Sequence, residues 1–290
     1  GNEDSDNGTL IIKNASASLL GSNPMTIDEA IETSMIKSIA GQLDESGICF
    51  SRPFQAPHHS ASTPALVGGG RKGTPGEISL AHNGVLFLDE LPEFNRPTLE
   101  ALRQPLENGE IQISRVNAHT TFPANFQLVA AMNPCRCGHL GQKNKECTRA
   151  PICAQEYMSK ISGPLLDRID LVINVPRLTT DELINNTVES ESSAKIRERV
   201  IKARRLQAER YKEDGILTNS ELSAEMIKKY CKLDEATSQI MKMAAQKYQL
   251  SGRRYNRVLK IARTIADLDS SPEIKSVHLT QALQYRSENL

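Results

Sequence analysis

Short apolar runs punctuate the chain up to Pro176. Gly84–Leu88 ends in Asp89-Glu90, Phe126–Met132 ends in Asn133-Pro134, and Leu171–Val175 runs up to the proline. Predominantly apolar segments of this length read as buried strands, the habit of parallel sheets. Thr9–Ile12 reads as a further short strand. Thr26–Ala40 reads as a helix, with Thr26 as cap, Glu29 three residues on, and Ile27, Ala30, Ile31 and Met35 on one face. Arg96–Asn108 is a second helix, stopped by Asn108-Gly109. Ile111–Ser114 and Thr120–Phe122 alternate in character around Arg115–His119 and predict a hairpin. Arg52–Glu77, rich in Gly, Pro, Ser and His, predicts long loops. Beyond Pro176 the helical period takes over in Thr180–Tyr211, Ser220–Lys232, Asp234–Gln249, Gly252–Leu268 and Leu279–Tyr285. Strands alternating with helices followed by helices alone predict an α/β parallel sheet and then an all-α domain.

The length, 290 residues, suits one large or two modest domains. Apolar residues make up 39%, but aromatics only 4%, and Trp is absent, so the core must be built from Leu, Ile, Val, Ala and Met. Thirty-five basic and thirty-five acidic residues give zero net charge, which argues against a uniformly basic nucleic-acid binder and leaves room for a local basic stripe. No apolar run approaches the roughly 20 residues of a membrane span, and no charged-then-apolar leader opens the sequence. A cytoplasmic protein without membrane partners is the expectation. Of six cysteines, four lie close together: Cys135, Cys137, Cys147 and Cys153. Without an export signal such a cluster points to metal rather than to a disulfide framework.

The strand ends carry the chemistry. Asp89 and Glu90 sit where ligands of open α/β sheets gather, beyond the C-terminal ends of the strands. One carboxylate there can hold Mg²⁺ through water and the next can polarise an attacking water; a solvated acidic turn is the plainer alternative. Asn133, at the end of the next strand, can reach a phosphate or that water, or simply terminate its strand. Arg168, within Ser162–Asp170, is flanked by acids and can form a local ion pair, or serve as a permanent, forked positive charge for a neighbour's phosphate. Arg253 opens a basic helix with Arg254, Arg257, Lys260 and Arg263, which is either a solvated cationic face or a nucleotide contact.

These features, in this order, resemble the magnesium-chelatase-like branch of the AAA+ ATPases. Longer strings narrow the likeness to the ComM/YifB family: Arg52-Pro53-Phe54 with Ala56-Pro57-His58-His59, Pro75–Gly84, Glu100–Glu107 and Ser162–Asp170. The resemblance spans about Thr26 to Leu290. It implies an AAA+ αβα core carrying a pre-sensor-1 β-hairpin, followed by a helical lid. It divides the chain into a divergent segment over 1–24, a core over 25–178 and a lid over 179–290. It implies ATP and Mg²⁺ as cofactors, with Asp89 the Mg²⁺-associated carboxylate, Glu90 the catalytic one, Asn133 sensor 1, Arg168 the arginine finger and Arg253 sensor 2. Arg115–His119 resembles the tip of the pre-sensor-1 hairpin and Arg52–Glu77 the helix-2 insert, both facing the pore of a hexamer. Members of the ComM type are DNA branch-migration motors of natural transformation.

One family feature is missing. A phosphate-binding loop of form G-x-x-G-x-G-K-[ST] precedes the position of Thr26 in the family, whereas Thr9–Gly21 here is Thr-Leu-Ile-Ile-Lys-Asn-Ala-Ser-Ala-Ser-Leu-Leu-Gly. Without glycines to turn successive backbone N–H groups toward phosphate, and with Lys13 behind two isoleucines, this segment predicts weak ATP binding. The family's upstream Lon-protease-like domain is likewise not in this sequence. The alternative function is an assembly or chelatase-like module acting on a protein partner. Cys135, Cys137, Cys147 and Cys153, with C-x-C, x9 and x5 spacings, are candidate Zn²⁺ ligands, and His139 a substitute; reduced loop cysteines are the alternative. His58 and His59, adjacent on an extended chain, are expected to point to opposite faces and not to share a ligand.

Overall fold

The computed structural model describes residues 8–13, 25–45, 47–69, 73–114, 119–137, 148–175 and 191–285, and of 8–13, 114 and 119 the backbone alone. The described residues divide into two compact units, 8–13 with 25–175 and 191–285.

The first unit is an αβα arrangement. Its strands are β1 (Gly8–Lys13), β2 (Phe54–Gln55), β3 (Gly68–Gly69), β4 (Thr74–Pro75), β5 (Val85–Leu88), β6 (Glu110–Ser114), β7 (His119–Pro123), β8 (Gln127–Met132) and β9 (Leu171–Val175). Its helices are α1 (Ile27–Ile39), α2 (Thr63–Val67), α3 (Glu77–Leu80), α4 (Arg96–Ala101), α5 (Arg103–Asn108), α6 (Ile152–Met158) and α7 (Gly163–Leu166). The main sheet runs in the order β2-β5-β8-β1-β9. β2, β5 and β8 are parallel, and β1 is antiparallel to both β8 and β9, so four strands share one direction and β1 opposes them. The strand expected at Thr9–Ile12 therefore exists, in the middle of the sheet, but reversed.

Local rules explain most of the elements. Thr26 caps α1 through a reciprocal capping box with Glu29. The predicted helix Arg96–Asn108 is broken at Leu102, because Pro105 has no N–H to offer the Ala101 carbonyl. Gly109, at φ 70°, ends α5 in the left-handed region that favours glycine. β6 and β7 form the expected hairpin, with register Ile111↔Phe122, and the predicted tip residues 115–118 lie outside the described residues. Within the predicted loops of 52–77 the structure places β2, α2 and the small β3–β4 ribbon, whose tip residues 70–72 also lie outside the described residues.

The core of this unit gathers Leu86 and Leu88 of β5, Leu128 and Ala130 of β8, Val172 of β9, and Leu99 and Leu102 from the helical layer. Each such leucine, removed from water, contributes about 1.5–3 kcal/mol. The face predicted for α1 is corrected. Ala30 is buried, but Ile27, Ile31 and Met35 are exposed, and the helix buries Thr33, Ser34 and Ile36 instead.

The second unit is helical: α8 (Ser193–Arg210), α9 (Ala224–Tyr230), α10 (Glu235–Lys247), α11 (Gly252–Leu268) and α12 (Ser276–Gln284). Each predicted helix has a counterpart: α9 and α10 are trimmed at their ends, α11 keeps its predicted bounds, and α12 begins earlier, at Ser276; residues 180–190 of the first prediction lie outside the described residues. α11 is the central helix, burying Val258, Leu259, Ile261, Ala262 and Ala266. Two charges share that interior: Arg263 and Asp267, one turn apart on α11, are 2% and 0% exposed.

Candidate active site

Strand direction decides which residues meet. β5 and β8 are adjacent and parallel, with Leu88 opposite Ala130, so Asp89-Glu90 and Asn133 leave the sheet at the same edge. Asp89 Oδ1 accepts the Glu90 N–H at 2.9 Å. Glu90 itself is left-handed, at φ 50° and ψ 48°, a conformation uncommon outside Gly, Asn and Asp. Asp89 and Glu90 are exposed and Asn133 half-buried. Paired, exposed carboxylate oxygens suit a hard, water-carrying cation such as Mg²⁺, and these side chains fit that role.

Sequence reasoning missed one partner at this edge. His59 Nδ1 lies 3.0 Å from Glu90 Oε2. The imidazole is steadied by the edge of Phe94 and by the ring of His58, whose centroid is 4.0 Å away. The two rings lie side by side rather than on opposite faces, because the chain turns at His58–Ala61. The topology explains the meeting: β2 is parallel to β5, so the loop after Gln55 emerges beside Asp89-Glu90. Only knowledge that Phe54-Gln55 is a strand would have exposed this signal. The adjoining turn is fixed from α6, where Lys160 beyond its end pairs with Glu93 at 3.4 Å. Burial pushes the Tyr157 hydroxyl up to about 12, and the nearby charges of Glu93 and Glu90 add to the shift.

Among the described residues, β1 does not end at this edge. Lys13 is opposite Leu128, on the row of Leu86, whereas Gly8 and Thr9 are opposite Val175 and Met132. The antiparallel β1 thus delivers its last residue to the far edge of the sheet, away from Asp89 and Asn133.

Arg168 follows α7 and is engaged within its own unit. Its guanidinium donates to the Pro164 carbonyl at 2.7 Å and pairs with Glu107 at the end of α5. Its partner is thus Glu107 rather than either flanking acid. The Ser162 hydroxyl, bonded to Glu100, and the Arg103 guanidinium hold the Glu100 carboxyl below its ordinary value. The segments Glu100–Glu107 and Ser162–Asp170 are therefore packed on one another. Arg52 is pinned too: it donates to the Asn83 carbonyl at 2.7 Å and to Glu29 at 2.9 Å, joining α1 to the start of β5. It is a structural strut rather than a mobile cation. Arg253 lies in the first turn of α11, in the second unit, behind the Ser251 cap.

Cys135, Cys137 and Cys153 come together, with all three Sγ atoms within 4.8 Å of one another. The fourth candidate, Cys147, and the substitute His139 lie outside the described residues.

Two family models cover nearly all of the chain: magnesium chelatase, subunit ChlI, over residues 7–183, and the ChlI C-terminal region over residues 190–286. The chain is 50% identical to competence protein ComM of Haemophilus influenzae over 91% of its own length and 50% of that protein's. It is 45% identical to YifB of Escherichia coli over 90% of its length and 50% of that protein's. DNA replication licensing factor mcm7 of Schizosaccharomyces pombe is 30% identical over a shorter stretch, 37% of this chain and 13% of its own. The chain spans about half the length of the ComM and YifB relatives it matches. Taken with the αβα unit and the helical unit, these matches show that the chain belongs to the magnesium chelatase ChlI family, beside ComM and YifB.

Proposed function

We propose that this chain supplies the hydrolytic edge and the helical lid of an ATP-driven ring motor that moves DNA. The observation that carries the reading is the shared edge of β5 and β8, which brings the two carboxylates and the Asn133 amide to one place. In that role Asp89 holds Mg²⁺ through water. Glu90 polarises the attacking water, and Asn133 orients it toward the γ-phosphate. Mg²⁺ supplies charge neutralisation on the phosphates. Arg168 completes the site of a neighbouring protomer in a hexamer, for which it must exchange its Glu107 partner for phosphate. Arg253 touches the nucleotide from the lid. The two ribbons, β3–β4 and β6–β7, present Arg71, Lys72 and Arg115 to a phosphate backbone, giving sequence-tolerant and salt-dependent binding. The likeness to a competence protein and to a replication licensing factor supports DNA as the substrate.

The test has two parts. In an assembly that hydrolyses ATP, Glu90→Gln keeps nucleotide affinity and lowers turnover by about 100-fold or more, since an amide cannot take the proton. Unchanged turnover removes Glu90 from its role. Alanine at Arg71, Lys72 and Arg115 together weakens DNA binding and flattens its salt dependence by anisotropy titration, while basal turnover survives. An unchanged salt slope refutes the pore assignment.

A second reading is favoured by the reversed β1. With no G-x-x-G-x-G-K-[ST] string in its sequence, the chain by itself is an assembly module that retains the AAA+ shape and acts on a protein partner. Calorimetry separates the two: ATP binding to this chain that is weak or absent supports the second, and micromolar affinity refutes it.

A further inference from the structure

We propose that Cys135, Cys137 and Cys153 form a thiolate site for Zn²⁺ that fastens the end of β8 to α6, next to the catalytic edge. Cys135 lies two residues beyond Asn133, directly after the Pro134 that stops the strand. It is buried, Cys137 follows in the same turn, and Cys153 comes from the first turn of α6, so the three thiols converge from two separate segments. Their Sγ atoms lie within 4.8 Å of one another, and those of Cys135 and Cys137 are 3.2 Å apart. Sulfurs bound tetrahedrally at about 2.3 Å from one Zn²⁺ stand about 3.8 Å apart, within the range this trio already occupies. Soft thiolates select Zn²⁺ over the hard Mg²⁺ at the nearby carboxylates, so each metal has its own donor set. Three sulfurs leave a fourth tetrahedral position.

The placement gives the site a task. Asn133 hangs from the end of β8, with nothing but Pro134 between it and the first thiol. On the other side, α6 buries Tyr157 and leads to Lys160, which pairs with Glu93 in the turn after Asp89-Glu90. A metal joining Cys135 to Cys153 therefore ties the strand end that carries Asn133 to the helix that braces the acidic turn. Zn²⁺, having no redox chemistry, serves as a staple here. Binding displaces a proton from each thiol, so uptake releases protons to solvent.

The chain, purified under reducing conditions, should carry about one Zn²⁺ by elemental analysis. Titrating its thiols with a mercurial in the presence of a metallochromic indicator should release that metal as the cluster is modified. Replacement by Co²⁺ should give the visible spectrum of a tetrahedral thiolate site. Cys135→Ser and Cys153→Ser should each lose the metal, whereas Cys49→Ser, distant in the chain from the cluster, should keep it. Should the cluster variants fail to fold, removal of the metal from the unaltered chain by a chelator remains decisive: amide exchange over 133–137 and 152–160 should quicken while the helical second unit is unchanged. A reduced, folded chain that takes up neither Zn²⁺ nor Co²⁺ overturns the proposal, as does metal retained by the Cys135→Ser/Cys153→Ser double variant. None of these readouts depends on ATP hydrolysis.

Discussion

Replacing Asp267 with alanine tests the interior of the helical unit. The Asp267 side chain is fully buried, and every donor around it is satisfied by its two oxygens. Arg210 donates at 3.0 Å to Oδ2 and also pairs with Oδ1, Arg263 Nε donates at 3.1 Å, and Asn219 Nδ2 donates at 2.9 Å. Burial opposes the Arg210 charge, yet its hydrogen bonds to Asp267 and Tyr211 hold its pKa above the ordinary value. In Asp267→Ala, Arg263 keeps the Ser271 and Pro272 carbonyls but loses its counter-charge, with only 2% of its side chain exposed. Arg210, at 20%, recovers some water. Breaking a buried pair by removing one partner costs about 3–5 kcal/mol. For a helical unit of under about 100 residues that lowers the unfolding midpoint by at least about 12 °C. Thermal unfolding of the whole chain followed by far-ultraviolet circular dichroism reads the change. The double variant Asp267→Leu/Arg263→Met separates causes. If an orphaned charge is what destabilises, the double variant is more stable than Asp267→Ala, because a matched apolar pair removes the charge as well as its partner. A single-variant loss under about 1 kcal/mol, or a double variant worse than the sum of its parts, would refute this account.

Three further outcomes follow from the first unit. His82 accepts the Asn125 N–H at Nδ1 and meets Glu32 through Nε2 at 3.1 Å, so it is held as the neutral tautomer; burial depresses its pKa, against the pull of Glu32. Its contribution to stability is therefore full above the unfolded value near 6.5 and is lost as pH falls through the lower folded value, and His82→Gln should flatten the fall in unfolding free energy below about pH 6.5. At Gly84, a Cβ would stand 2.0 Å from the Pro53 carbonyl oxygen, which accepts the Val85 N–H of β5, so Gly84→Ala should destabilise by about 3 kcal/mol in urea titration, and a loss under about 0.5 would show that β2 can shift away. His59→Ala frees Glu90 of a partly exposed polar contact worth about 1 kcal/mol or less, so basal turnover of a hydrolysing assembly should rise by about 2–5-fold with little change in melting temperature; a fall in turnover would make His59 a support of the active geometry instead.

The fold was legible where burial is two-sided or where a cap is chemical. Val85–Leu88 and Gln127–Met132 were read from predominantly apolar runs, and α1 and α11 begin at Thr26 and Ser251, whose hydroxyls cap them. The carbonyl left unpaired by Pro105 was visible in the sequence, yet the period of Arg96–Asn108 concealed the break. The exposed face of α1 was not legible, because Ile27, Ile31 and Met35 match a helical stripe as well as the residues that are buried. β2 was invisible for another reason: two residues carry no period. With it went the His59–Glu90 contact, which depends on β2 lying beside β5. The Arg168–Glu107 pair spans distant segments, and the sequence offered nearer acids, Asp167 and Asp170, as equally plausible partners.

Strand direction, which periodicity does not report, accounts for the remaining difference. Thr-Leu-Ile-Ile-Lys reads identically in a parallel or an antiparallel setting, since its side chains alternate faces either way. A strand parallel to β8 in the same slot would release its following residues beside Asp89 and Asn133, where backbone N–H groups can meet phosphate. The observed strand ends with Lys13 opposite Leu128, at the other edge. The placement of the carboxylates and the direction of β1 are therefore separable: the first follows from β5 and β8, which the sequence specifies strongly, and the second from the strand between β8 and β9, whose direction its pattern does not report. Among the described residues, that edge brings together the two carboxylates, the Asn133 amide and the turn that Lys160 braces.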